Sequence, residues 1–379
     1  MKKVKKWKTG IPAALVLAAV VLNIWARASR GFSLFYVNHI FPFWVESYGR
    51  VTGLFPFSVG EWMLYLAVCL LIVLALAGVL IFVFRKRLSD FWKKTYKRYA
   101  MFLYWVFGIT CMVMTLNCFL LYQVPALPER FWAGKTPGRE YGVKEIGILR
   151  DHVAAQANEL ALMFERDEKG YLVTDCSGME EEAIARMQDL AEVFPNLGGY
   201  YPKPKKLFLS GFYSQQYIMG YYFPFSMEAN INPRMYLTNM PVTMCHELSH
   251  LKGFILEDEA NFIGYLACVE SKDPLFRYSA LLSVIGYLDR DFARAVGKDS
   301  MEYQSHIKIS GQVLADKIFL TKEAWQQVEE RAVLDTETVS QAADSFLNTT
   351  LTLNGVSDGT VSYSRVVDLL LQYYDGILY

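Results

Sequence analysis

Three long apolar stretches dominate the first third of the chain. They cover residues 11–27, 62–84 and 100–122, and the second and third contain no charged side chain. A helix of about 20 apolar residues crosses a hydrocarbon layer roughly 30 Å thick. The pattern therefore predicts a membrane region over residues 1–122 with three transmembrane helices.

Basic residues mark one side of this region. Met1–Lys8 contains five lysines, and residues 85–98 contain seven basic side chains but only one acid, Asp90. Lys and Arg concentrate in the cytoplasmic segments of membrane proteins. Both basic segments are therefore predicted to be cytoplasmic, and an odd number of spans places everything after Tyr122 outside the cytoplasm.

Two parts of the N-terminal region need separate interpretation. The first stretch also fits a signal peptide, since Ala26 and Ala28 have the small-x-small form of a cleavage site. We favour an uncleaved span because two further spans follow. The segment Gly31–Gly60 is aromatic, interrupted by prolines and poor in charge, and it is predicted to be a loop at the membrane interface.

The composition agrees with a membrane region joined to a folded domain. The chain has 379 residues, of which 53% are hydrophobic, and its formal net charge is zero. This balance does not favour nucleic acid as a partner; the apolar stretches predict the lipid bilayer as a partner, and a peptide or protein partner is expected only from the motif described below. Three of the six cysteines lie beyond the predicted spans, an odd number that does not indicate a disulfide framework.

Residues 123–379 are long enough for one sizeable core. Apolar positions recur at helical spacing over 141–164, 177–194 and 275–289, whereas extended segments are short. The predicted fold class is α+β and mainly helical, with the three-helix membrane region followed by a single extracytoplasmic domain.

One segment of this domain carries recognisable chemistry. It contains His246-Glu247-Leu-Ser-His250, the His-Glu-x-x-His pattern of zinc metalloprotease helices. Asn239 is the predicted N-cap of its helix, and Pro241 lies near the first helical position. Two histidines four residues apart share one helix face, so both can reach a single Zn2+. Glu247 would reach a metal-bound water instead and act as general base.

A catalytic zinc of this kind needs a third protein ligand and an open position. Gly253 permits a sharp turn after the helix, and the acids Glu257, Asp258 and Glu259 follow it. Glu257 is the first choice as ligand and Glu259 is the alternative. Asn261 lies one helical turn after Glu257, a spacing that resembles the glutamate-zincin arrangement, in which an Asp at that position orients a zinc-bound histidine through a hydrogen bond.

Two further assignments concern substrate and transition state. The sequence of residues 221–233 predicts an extended segment, and its proline suits an edge strand. An edge strand can pair with an extended peptide. We expect Phe225, Glu228 and Asn230 to line a substrate cleft there; the alternative is an ordinary edge strand with Glu228 and Asn230 solvated. Tyr278 is a candidate for hydrogen bonding to a developing oxyanion, the alternative being a tyrosine of the core.

Four blocks of sequence resemble one known family. Residues 56–61 (PFSVGE), 224–230 (PFSMEAN), 245–253 (CHELSHLKG) and 257–262 (EDEANF) are together similar to the bacterial membrane-protein family catalogued as domain of unknown function 3810. The likeness covers nearly the whole chain, including the spans. It implies a zincin-like metallopeptidase in a bacterial cell membrane and supplies no substrate.

The last block is also similar to the Glu-x-x-Ala-Asp segment that provides the third ligand in other membrane-linked glutamate-zincins. This similarity favours Glu257 over Glu259 as the ligand. The chain departs from that pattern at Asn261, where the other proteins have Asp, which weakens the expected contact to the histidine.

The leading hypothesis is a membrane-anchored, zinc-dependent peptidase with a catalytic domain outside the cytoplasm. An alternative is a non-catalytic membrane sensor or assembly protein with a structural or vestigial zinc site. A fourth protein ligand from Cys245, Asp258 or Glu259 would close the site and favour that alternative. A third hypothesis, a cell-wall amidohydrolase, depends on tyrosines that could stack on sugars: Tyr200, Tyr201, Tyr213 and Tyr217.

Overall fold

The computed structural model describes residues 2–132, 139–354, 356 and 365–379, and these residues are mainly helical. The α-helices are α1 (Lys2–Ala28), α2 (Arg30–Phe35), α3 (Phe41–Trp44), α4 (Arg50–Gly53), α5 (Val59–Val83), α6 (Asp90–Met114), α7 (Leu127–Phe131), α8 (Val143–Ala161), α9 (Met179–Asp189), α10 (Ser210–Gln215), α11 (Met240–His250), α12 (Glu257–Val269), α13 (Pro274–Val296), α14 (Met301–Ser305), α15 (Gly311–Asp316), α16 (Lys322–Glu330), α17 (Thr336–Leu353) and α18 (Val366–Tyr374). The strands are β1 (Glu165–Arg166), β2 (Leu172–Val173), β3 (Lys205–Lys206), β4 (Gly220–Phe223) and β5 (Glu228–Ile231).

The chain divides into two compact units, and the first comprises Met1–Val124 together with Phe223–Glu228. Three helical stretches in it are long and apolar enough to cross a membrane: Thr9–Ala28, Val59–Val83 and Asp90–Gln123. The prediction of three long apolar helices is confirmed. Helices α1 and α6 begin well before the predicted limits, because basic residues such as Lys and Arg also support a helix. Helix α5 begins three residues early, at Val59, directly after its N-cap Ser58.

The aromatic segment after α1 is helical up to Gly53, so its prediction as a loop was wrong there, and only residues 54–58 before α5 are not helical. Residues 30–53 form helices α2, α3 and α4, and π-helical turns join them. Pro42 does not break the run because it lies in the first turn of α3, where the missing N–H costs nothing. The helical spacing of the aromatic and apolar side chains explains why this segment is helical despite its prolines.

The turn between β4 and β5 packs within this first unit, against the start of α5. Glu228 is buried, and its carboxylate accepts hydrogen bonds from the backbone N–H groups of Val59 (3.2 Å) and Gly60 (2.7 Å). An acid at this position satisfies free N–H groups and complements the helix dipole. Glu228 therefore helps to hold the start of α5. The alternative that left Glu228 and Asn230 solvated was wrong, since both are buried.

Two side chains from other helical segments hold the same turn. Oγ1 of Thr52 donates to the carbonyl oxygen of Ser226 at 2.7 Å, and Nδ2 of Asn117 donates to that of Pro224 at 2.9 Å. Both donors are buried polar groups, which are stable in such places only when hydrogen-bonded. Two of the sequence blocks that carry the family resemblance thus meet inside this unit.

The second unit comprises Pro125–Tyr222 and Ala229–Tyr379. Helices α8, α11, α12 and α13 pack against one another to form its core, with α9 and α18 beside them. Fully buried apolar side chains on these helices include Leu149, Leu248, Phe262 and Leu281. The amphipathic pattern predicted α8, α9 and α13, although α13 continues to Val296, where Gly297 follows it.

The small sheet corrects the prediction for residues 225–232. Its strand order is β3-β5-β4, with β3 parallel to β5, so β5 is the middle strand and not an edge strand. All four residues of β5 are buried, and the Asn230 side chain donates to the carbonyl oxygen of Tyr221 at 3.1 Å. Both prolines of residues 221–233, Pro224 and Pro233, lie outside β4 and β5. Strand β4 takes the edge position among the described strands.

Candidate metal centre

Helix α11 presents two imidazoles on one face. It begins after Asn239, as predicted, with Pro241 in its first turn. His246 and His250 follow one helical turn apart, and their Nε2 atoms lie 3.1 Å from each other. The structure therefore brings the two predicted ligands together.

A tight turn brings a carboxylate back to these imidazoles. Gly253 has a φ of +90°, a left-handed conformation that side chains with a Cβ rarely adopt. The chain then enters α12, and Oε2 of Glu257 lies 3.2 Å from Nε2 of His246 and 3.9 Å from Nε2 of His250. Each of the three residues offers one ligand atom, and these atoms lie within 4.8 Å of one another.

Hydrogen bonds fix the orientation of both rings. Nδ1 of His246 lies 2.9 Å from Oδ1 of Asn261, and Nδ1 of His250 lies 2.8 Å from the carbonyl oxygen of Phe254. Because both partners are acceptors, each Nδ1 carries a proton, so each ring in its neutral form turns the lone pair of Nε2 toward the cluster. Asn261 thus has the contact that the sequence predicted for it, and metal-binding histidines commonly have such partners.

Burial and Glu257 give the two imidazoles different proton affinities. Burial lowers the pKa of His250 to about 4, so its ring is neutral at pH 7. Burial also opposes a charge on His246, but the hydrogen bond and the negative charge of Glu257 outweigh it and raise the pKa of His246. Glu257 therefore stabilises a positive charge on His246, whereas burial opposes one on His250. Two imidazole nitrogens and one carboxylate oxygen form a donor set that suits Zn2+.

Glu247 is buried beside this cluster. Burial raises the pKa of its carboxyl group to about 8, and its charge interacts with His246 and Glu257. Its Oε2 atom has no hydrogen-bond partner among the described residues. A buried carboxylate oxygen left in this way is costly unless a water or a ligand satisfies it. The geometry provides an acceptor next to the cluster for a proton donor from outside the chain.

Strand β4 lies against Glu247. A Cβ atom at Gly220 would lie 2.5 Å from Oε1 of Glu247 and 2.6 Å from its Cγ, closer than real Cβ contacts. Two residues later, the buried ring of Tyr222 has its centroid 6.1 Å from that of His250. Sequence reasoning missed both residues, because a contact between positions 220 and 247 leaves no local pattern.

The other candidate ligands have different partners. Glu259 accepts hydrogen bonds from Nη2 of Arg130 (2.5 Å) and from the backbone N–H of Leu127 (2.6 Å). Asp258 forms an ion pair with Arg365 at 3.7 Å, and Sγ of Cys245 lies 3.6 Å from that of Cys268. Among the described residues, the cluster therefore contains only its three members, and the alternative ligand Glu259 lies outside it.

Tyr278 is a buried core tyrosine. Its hydroxyl donates to Oδ2 of Asp316 at 2.8 Å, and the same carboxylate forms an ion pair with Arg166. This network engages the hydroxyl, and the structure does not bring Tyr278 into the His/Glu cluster. Of the four tyrosines considered for sugar stacking, two are also buried, Tyr201 and Tyr213.

Removing the Asn261 contact should weaken metal binding. We expect Asn261→Ala to lower zinc affinity about 10- to 100-fold, because His246 loses the acceptor that fixes its ring and tautomer. Asn261→Asp should bind zinc more tightly than wild type, since a carboxylate is the stronger acceptor. Competition with a chromophoric chelator measures both affinities, with the exposed Asn348→Ala as control. Equal affinities in all four proteins would show that the contact does not act on the metal.

Comparison with known proteins places the chain in a family without supplying an activity. A family model described as "Protein of unknown function (DUF3810)" matches residues 36–371. No curated protein and no solved structure matches the chain. The match includes β4, α11 and α12, and thus every residue of the His/Glu cluster. The chain therefore belongs to the DUF3810 family of proteins of unknown function.

Proposed function

We propose that the protein is a membrane-anchored, zinc-dependent peptidase. The observation that carries this proposal is the convergence of three ligand atoms, from His246, His250 and Glu257, beside a buried carboxylate oxygen of Glu247 that has no partner in the described chain. Structural zinc sites are usually closed by four protein ligands. Three ligands and an adjacent free acceptor favour catalysis over a structural or vestigial site.

The residues of the chain have distinct tasks in this proposal. His246, His250 and Glu257 would hold the ion, and Asn261 and the Phe254 carbonyl orient the two rings. Zinc, when bound, supplies a Lewis acid that polarises a carbonyl oxygen and acidifies water. Glu247 takes a proton from the attacking water and returns it to the leaving amine nitrogen. Burial alone keeps the Glu247 carboxyl group largely protonated at pH 7, since its pKa is about 8; a bound Zn2+ would stabilise the charged carboxylate, which is the form that accepts the proton.

The substrate we propose is an extended peptide segment. Strand β4 is at the edge of its sheet among the described strands, and it carries both Gly220 beside Glu247 and Tyr222 beside His250. A peptide added along such a strand would align its backbone with the catalytic residues. This role replaces the one predicted for β5 and for Phe225, Glu228 and Asn230.

We also propose that the second unit lies outside the cytoplasm of a bacterial cell. The support is the distribution of charge, because lysines fill the first turns of α1 and basic residues run from the end of α5 into the first half of α6. Three membrane-crossing helices then place residues after Val124 on the opposite side from the N-terminus. A peptidase in this position would act on extracytoplasmic or membrane-bound proteins.

A peptide-library digest tests the proposed activity. The full chain, purified in detergent, is incubated with a mixed peptide library, and new termini are identified by mass spectrometry. We expect cleavage that a zinc chelator abolishes and that added Zn2+ restores. The absence of chelator-sensitive cleavage in metal-loaded protein would contradict the proposal and favour the sensor or assembly alternative.

A further inference from the structure

Two buried cysteines meet between the helices that carry the cluster. Cys245 precedes His246 on α11, and Cys268 lies near the end of α12. Both side chains are completely buried, and their Sγ atoms are 3.6 Å apart. Neither thiol has a role in the proposed reaction.

We propose that Cys245 and Cys268 form a disulfide that links α11 to α12. A disulfide requires the sulfur atoms to approach to about 2.05 Å, a closure of roughly 1.5 Å that small side-chain rotations can supply. The inference depends on the proposed position of this unit outside the cytoplasm, where disulfides persist. It does not depend on peptidase activity.

The helices are already close enough for such a link. A Cβ atom at Gly264 on α12 would lie 3.1 Å from the carbonyl oxygen of Val242 and 3.3 Å from the backbone nitrogen of His246. The backbones of α11 and α12 therefore approach each other with little between them. A bond at Cys245–Cys268 would strengthen a contact that the fold already makes.

The third cysteine of this unit explains the odd count. Cys176 is exposed, and its Sγ donates to the carbonyl oxygen of Thr174 at 3.5 Å. The three cysteines of the second unit are therefore one buried pair, Cys245 and Cys268, and one exposed thiol, Cys176. The odd number argued against a disulfide framework, but it is compatible with a single bridge.

Formation of the bridge requires an oxidant, which we take to be the disulfide of an extracytoplasmic oxidoreductase. The thiolate of one cysteine attacks that disulfide to give a mixed disulfide, and the thiolate of the other then displaces the reduced oxidant. The chain loses two thiol protons and two electrons, and the oxidant becomes a dithiol. Because both sulfurs are buried in the folded protein, the reaction precedes the closure of α11 on α12.

The bridge would keep the ligand helices together without metal. His246 and His250 lie on α11, and Glu257 begins α12, so the link spans the two halves of the cluster. Constraining the chain between positions 245 and 268 also disfavours the unfolded state. The metal-free protein would retain the arrangement that binds the ion.

Peptide mapping tests the bridge directly. The full chain is produced in the membrane of a bacterial host, trapped with a maleimide under denaturing, non-reducing conditions, and digested with trypsin. The two cysteines fall in different tryptic peptides, residues 235–252 and 253–272. We expect these peptides to be recovered joined, and to separate on reduction. Recovery of both as maleimide adducts would overturn the proposal, as would a link from either one to Cys176.

Two further measurements distinguish the proposed disulfide from the proposed position outside the cytoplasm and from the proposed peptidase activity. A membrane-impermeant maleimide added to intact cells should label the exposed Cys176, which reports the side of the membrane independently of the bridge. Reduction should lower the melting temperature of wild type and Cys176→Ala by about 5 to 10 °C, whereas the double variant Cys245→Ala/Cys268→Ala should not respond. Labelled Cys176 with free Cys245 and Cys268 thiols overturns the bridge while leaving the peptidase proposal intact.

Discussion

Glu247→Gln should lower peptide hydrolysis by about 100- to 10,000-fold, the usual contribution of a general acid–base residue. The amide has nearly the shape of the carboxylate but cannot accept the proton of the attacking water. His246, His250 and Glu257 are unchanged, so the variant should retain wild-type metal content. Rates on a peptide cleaved by wild type, measured beside zinc content, give both quantities.

The matched control for this variant is Glu168→Gln. Glu168 is an exposed residue of the turn after β1, so the same chemical change there should leave activity unaltered. Wild-type turnover in metal-loaded Glu247→Gln protein would contradict the assignment of the general base. Loss of metal together with activity would show that Glu247 supports the cluster rather than the proton transfer.

Gly220→Ala should lower kcat by about 100-fold, because displacement of a catalytic group by about 1 Å has effects of that size. The added methyl group would occupy a position 2.5 Å from Oε1 of Glu247, so the carboxylate has to move. The three heavy atoms nearest to the added methyl group all belong to Glu247, so zinc content should remain at the wild-type value. Steady-state kinetics and metal analysis of the purified variant check the two expectations.

Gly211→Ala is the control, since a Cβ atom there would meet nothing within 4 Å. We expect this variant to match wild type in kcat, KM and melting temperature. A Gly220→Ala protein with unchanged kcat would show that the position of Glu247 relative to β4 does not matter for the reaction. A drop confined to KM would assign Gly220 to substrate binding instead.

Local patterns predicted a large part of this architecture. Apolar stretches of sufficient length gave the three long helices, since length and hydropathy alone determine that outcome. His246, Glu247 and His250 were predicted from a spacing within one helix. Even the approach of Glu257 followed from a local feature, because the glycine at position 253 permits the turn that returns the chain.

Long-range contacts account for what the sequence did not predict. The middle position of β5 depends on β3 and β4, which are separate in sequence and too short to give a clear alternating pattern. The hydrogen bond that holds the Glu259 side chain away from the cluster comes from Arg130, which lies more than a hundred residues earlier. Gly220 lies beside Glu247 only because the tertiary structure packs β4 against that side chain. Each of these depends on tertiary packing, for which a single sequence carries no signal.

Metal content of the full chain, measured by elemental analysis, tests the central claim most directly. Wild type should contain about one zinc per chain, and His250→Ala and Glu257→Gln should lose most of it, because each removes one of only three protein ligands. Glu259→Gln should keep its zinc, since that side chain bonds to Arg130 and Leu127. Retention in Glu257→Gln with loss in Glu259→Gln would assign the third ligand to Glu259. The absence of zinc from wild type, even after Zn2+ is supplied, would contradict the metal centre and the peptidase with it.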